Sequence, residues 1–152
     1  MRSFTLLPLL AFAACAGVDL DKVDSDIENE LSEFAKAVPA IKKRVRVDDA
    51  RIGIIQQKKK LSPAQARDVE SFIRERHAIV ARMEKVLEEL EAIHKLIHTE
   101  SGTEPDEAAL EAVRLRLDAF HERRQYIKND LDRIKRRDHV VTQMLMAAPN
   151  KN

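Results

Sequence analysis

From Leu20 onward the apolar residues recur every seven positions rather than alternating. One seam runs Leu20, Ile27, Phe34, Ile41, Ile55, and a companion row runs Leu31, Val38, Val45, Ile52. This is the pattern of a long helix packed along one stripe. Pro39 lies inside it and removes a backbone donor, so a kink is expected there. The seam stops at KKKLSPAQ, residues 58 to 65. Ser62 is a good N-cap, Pro63 suits the first helical position, and Gln65 completes a capping box. A second seam follows, Val69, Met83, Leu90, Ile97, beside Phe72, Ile79, Val86 and Ile93. Ile73, Val80 and Leu87 widen that stripe, so the second helix is expected in the middle of a bundle or against another subunit. In HTESGTEPDEAA, residues 98 to 109, Gly102 ends one helix, Thr103 and Pro105 start the next, and Asp106 and Glu107 fall in its first turn. The third seam is Leu110, Val113, Leu117, Phe120, Ile127, Leu131, Ile134, Val141, Leu145.

The expectation is therefore an all-α fold: an up-down-up, antiparallel three-helix coiled-coil bundle over 20–148, with helices near 20–60, 62–98 and 104–147 and a frayed tail at 149–152. Helices of this size are roughly 50–65 Å long, which makes the bundle a rod. Folding the first hairpin at its break sets Ile27 opposite Ile97, Phe34 opposite Leu90 and Ile55 opposite Val69. Folding the second sets Leu90 opposite Leu110, Met83 opposite Leu117 and Val69 opposite Leu131. In that register Asp48 faces Arg76, and Arg76 faces Arg124. These three are expected to form a polar layer that fixes register. Asp138 falls level with Lys59 and Lys60.

Composition agrees with long helices: 35% charged residues, 4% aromatics, three glycines and no tryptophan. The chain has 27 basic and 26 acidic residues. Near-neutral charge without interleaved basic and aromatic residues argues against nucleic acid as a partner.

The first residues differ. Arg2 is the only charge before Asp19, and an apolar run from Phe4 to Ala14 is broken only by Thr5 and Pro8. The run is shorter than the ~20 apolar residues that span a bilayer. A positive start, a short apolar core and small residues mark an export signal. The end of this run, Phe12-Ala13-Ala14-Cys15, holds the single cysteine. It resembles the lipobox of bacterial lipoprotein precursors, with Phe12 where leucine is common. The resemblance implies a signal peptide at 1–14, cleavage before Cys15, lipid (palmitate-type acyl chains) on Cys15, and a short tether at 15–19. By the sorting habit of the family it resembles, Ala16, rather than Asp, after the cysteine implies the outer membrane. Several acyl chains hold a membrane far better than one. The competing readings are a secretory signal cut after Ala13, which leaves Cys15 a stray thiol, and a buried core helix.

With Cys15 at a membrane, the end near the anchor is acidic (Asp19, Asp21, Asp24, Asp26, Glu28, Glu30, Glu100, Glu104, Asp106, Glu107). The far end is basic: Lys58, Lys59, Lys60, Arg67, Arg133, Lys135, Arg136, Arg137. Helix-terminal charge matching accounts for much of this. The functional reading is that the far end docks an acidic envelope protein or the cell wall. A second copy of the chain is a further candidate partner.

Three weaker signals remain. His94 and His98 are four apart on one helix face, a metal-ligand spacing, with Glu104 and Asp106 placed nearby by the register. Such pairs are also common on solvated helices, and no metal or other cofactor is expected. LSPAQ, residues 61–65, is similar to the LTxxQ motif of periplasmic refolding chaperones and their metal-responsive relatives, which are small, exported and all-helical. The same string is also a good capping box. No phosphate loop and no nucleophile with a spaced base are present, so no enzyme activity is expected. The chain reads as an envelope lipoprotein whose periplasmic rod is a structural or adaptor module. The alternatives are a chaperone-like or stress-sensing protein and a minor metal-binding role. A chaperone needs exposed apolar surface at Ile73, Val80 and Leu87.

Overall fold

The computed structural model describes residues 20–99 and 107–151. These form three helices, α1 (Leu20–Lys58), α2 (Pro63–Thr99) and α3 (Glu107–Ala147), with no strands among the described residues. Together they make an up-down-up three-helix bundle. The expected signal segment, Cys15 and the expected tether lie outside the described residues.

Local chemistry sets the ends. Lys59 N–H donates back to Ile55 C=O at 2.9 Å, closing the last turn of α1. At the start of α2, Gln65 N–H donates to Ser62 Oγ at 3.2 Å and Ser62 N–H donates to Gln65 Oε1 at 2.9 Å. That is the reciprocal capping box the sequence predicts, with Pro63 at the first helical position. α1 continues through Pro39, which occupies an exposed position.

α2 packs along its length against both neighbours, whereas α1 and α3 touch each other in few places. The wide stripe of α2 has this cause: a central helix must be apolar on two flanks. Three core clusters follow one another along the rod. The first joins Ile27, Ile93 and Val113. The central one joins Phe34, Val38, Ile79, Met83, Val86, Leu90, Phe120 and Ile127. The last joins Ile52, Val69, Phe72, Val141 and Leu145. Phe34 and Phe120 meet edge to face at 5.7 Å, one of the direct contacts of α1 with α3. Such a pair adds about 0.5–1.5 kcal/mol beyond the area it buries.

The α1–α2 register is the expected one: Lys42 pairs with Glu84, Asp48 with Arg76 and Asp49 with His77. The α2–α3 register is not. Arg82 pairs with Asp130, Arg123 with Glu89, and Arg137 with Glu75. α3 is thus displaced by roughly 11–12 residues, a little over three turns, from the register expected. Val69 packs in one cluster with Val141 and Leu145 rather than facing Leu131. An apolar stripe that repeats every three to four residues matches itself again after three turns, so apolar pattern alone does not select between the two. Charge does. The expected register sets Arg76 against Arg124 inside the bundle, whereas the observed one gives each interhelical arginine a carboxylate.

The displacement also corrects the tail. Residues 149–151 are tied down rather than frayed: Lys60 N–H donates to Pro149 C=O at 2.7 Å and Lys151 N–H to Lys58 C=O at 2.9 Å. α3 ends level with the α1–α2 turn, and the tail that follows it pairs with residues 58–60 and closes the end of the rod.

Candidate functional site

Three groups of side chains carry candidate chemistry. The polar layer is the first. Arg76 is 4% exposed, the single buried charged residue among the described residues. Its Nη2 donates to Asp48 Oδ2 at 2.8 Å, and its Nη1 lies 3.4 Å from Asp49 Oδ1. Its guanidinium carbon sits 5.2 Å from the centre of the Phe72 ring. A buried guanidinium needs such partners because desolvating an unpaired charge is costly. Arg124 does not join this layer. It pairs with Glu30 and Glu33 of α1, beside the Phe34–Phe120 contact, because the displacement of α3 carries it toward the other end of the rod. Asp138, expected level with Lys59 and Lys60, instead lines a cavity of about 250 Å³ with Asp48 and Arg76. The remaining wall of this cavity is largely apolar, with Ile41, Ile79 and Leu131 among its residues.

The basic end is the second group, and it divides. Lys58, Lys60 and Arg67 are exposed at the tip where α1 ends and α2 begins. Lys59 Nζ donates to Met146 C=O at 3.3 Å, which ties it to α3. Arg133, Lys135, Arg136 and Arg137 lie 10 to 14 residues before the end of α3 at Ala147, hence about 15–20 Å up the rod. Arg133 pairs with Asp130 at 2.9 Å and Lys135 with Asp132 at 3.6 Å on their own helix, while Arg136 is exposed. Arg137 holds Glu75 and Asp68 of α2 and lies over Phe72 at 5.8 Å. The Glu75 hydrogen bond, helped by Asp68 and opposed by burial, raises its pKa above the ordinary arginine value. Arg137 is therefore a helix-to-helix clamp and not part of a docking tip.

The third group lies at the opposite end. His94 and His98, with ring centres 4.2 Å apart, face α1 across the α1–α2 seam. His98 Nε2 is 3.1 Å from Asp24 Oδ1 and His94 Nε2 is 3.9 Å from Glu28 Oε1. Glu104 and Asp106, expected beside them, lie outside the described residues. The sequence reading counted Asp24 and Glu28 only as part of the acidic end, although the register that sets Ile27 opposite Ile97 also sets both carboxylates opposite both histidines.

The stripe that a client-binding surface needs is taken up by the core. Val80 is 7% exposed, and Ile73 and Leu87 pack against the core clusters. None of the described helices is long and apolar enough to cross a membrane. Comparison with protein-family models, with curated proteins and with solved structures finds no match for this chain.

Proposed function

We propose that the chain is an outer-membrane lipoprotein, anchored through acyl chains on Cys15, whose periplasmic rod acts as a structural or adaptor module. The observation that carries this reading is the position of Cys15. It ends a lipobox-like segment only five residues before α1 begins at Leu20. A tether that short keeps the rod next to its anchor. Cleavage before Cys15 removes Arg2 and leaves a mature chain with 26 residues of each sign. α1 then runs away from the membrane for about 58 Å at 1.5 Å per residue.

The far tip presents Lys58, Lys60 and Arg67 around an end closed by the tail. It suits an acidic face of another envelope component, with complementary charge guiding the encounter. The packing of Ile73, Val80 and Leu87 weighs against the chaperone-like alternative. The LSPAQ string serves as the α2 cap, which accounts for it without a client-binding role.

Mass spectrometry of the chain extracted from its native membrane tests the anchor. A mature N-terminus at Cys15 with added acyl mass, and release of Cys15→Ala from the membrane fraction, are the expected results. An unmodified Cys15 in a chain still attached to membrane removes the proposal.

A further inference from the structure

Asp24 and Glu28 are one turn apart on α1, and His94 and His98 are one turn apart on α2. Antiparallel packing sets the two pairs face to face, so one ligand atom from each residue lies within 4.8 Å of every other. We propose that these four side chains bind one divalent transition-metal ion of the zinc class, clamping the start of α1 to the end of α2.

The donor set fits such an ion. Two imidazoles and two carboxylates make a borderline set, suited to Zn²⁺, Co²⁺, Ni²⁺ or Cu²⁺ rather than to Ca²⁺ or Mg²⁺. Four ligands at metal–ligand distances of about 2.0–2.2 Å in a tetrahedron stand roughly 3.3–3.6 Å apart. The 3.1 Å and 3.9 Å separations across the seam already bracket that spacing. Glu28 and His98 are 61% and 46% exposed, so neither is buried in the core that flanks the site. Asp24 and His94 are each 29% exposed and give the site its fixed half.

A second observation points into the cluster. Asp24 Oδ1 is shut off from solvent yet makes no well-formed hydrogen bond, although His98 Nε2 is close. A shielded carboxylate oxygen without a formed bond costs free energy, and a cation between it and the imidazoles removes that cost. The site lies beside the cluster of Ile27, Ile93 and Val113, so closure of the four ligands pins one end of the rod.

The test uses the full chain in mild detergent with Cys15→Ser, which removes the single thiol as a competing ligand. Zn²⁺ is titrated calorimetrically, and the visible absorption of bound Co²⁺ reports whether the ion is tetrahedral. One equivalent of Zn²⁺ is expected. At a free concentration a hundred times its Kd it should raise Tm by roughly 5–10 °C. His94→Ala and His98→Ala should each weaken binding at least tenfold and abolish the rise in Tm, while His139→Ala changes neither. Glu28→Gln, at the most exposed of the four positions, weakens binding without unfolding the chain and serves if a histidine variant folds poorly. Absence of a Zn²⁺-dependent rise in Tm overturns the proposal. So does uptake that survives loss of both histidines.

Discussion

The guanidinium of Arg76, buried at the centre of the bundle, donates from Nη2 to Asp48 Oδ2 at 2.8 Å and so links α2 to α1. The pair separates the central core cluster from the one around Phe72. Among the described residues it is the one place where the apolar seam between these helices gives way to a buried charged side chain. Removing one partner should therefore be worse than removing both. Asp48→Leu leaves the guanidinium short of a carboxylate and is expected to lower stability by about 2–4 kcal/mol. Adding Arg76→Leu to it should restore most of the loss. Urea denaturation of the single and double variants checks this, and equal losses in both would exclude the pairing as the cause.

Arg137 and Arg133 lie four residues apart on α3 but do different work. Arg137 reaches Glu75 and Asp68 across the helix boundary and covers Phe72, whereas Arg133 contacts an acid on its own helix. Arg137→Met should cost about 1–2 kcal/mol and Arg133→Ala less than ~0.5 kcal/mol. The folded-state pKa of Arg137 is raised, so its contribution is complete below the unfolded value and is lost only as pH rises through the folded one. Both lie far above neutrality. The difference between wild type and Arg137→Met should accordingly be the same at pH 7 and pH 9, as measured by denaturant midpoints.

The tail provides an independent check on the α2–α3 register. The two backbone bonds between residues 58–60 and 149–151 form only if the end of α3 lies level with the α1–α2 turn. Deleting residues 149–152 should lower stability by about 1–2 kcal/mol and release the amide of Lys60 to fast hydrogen exchange. An amide at Lys60 that exchanges equally fast in the intact chain would contradict the closure.

Much of the fold was legible in the sequence. Heptad seams define helices whatever their partners, and Ser62-Pro63-Ala64-Gln65 carries its own cap geometry. The α1–α2 register was legible too, since the four-residue stretch 59–62 leaves the hairpin little freedom. The α2–α3 register was not, because a stripe that repeats within a turn is nearly indifferent to a shift of three turns. Only the charges on its flanks (Arg82 with Asp130, Arg123 with Glu89, Arg137 with Glu75) discriminate. That one error moved Arg124 out of the polar layer, moved Arg133–Arg137 off the tip and hid the closure by the tail. The four-ligand cluster was within reach of the correct first register. Asp24 and Glu28 look like ordinary solvated acids until they are read against the helix opposite.

The central claim, an anchored rod that meets a partner at its tip, is tested most directly by photo-crosslinking in intact cells. One photoreactive residue replaces Lys60 at the tip, and in a separate chain one replaces Asn29 near the anchor. The account predicts a single discrete protein or cell-wall adduct from position 60 and none from position 29. No adduct at the tip, or a ladder of unrelated adducts from both positions, would contradict it.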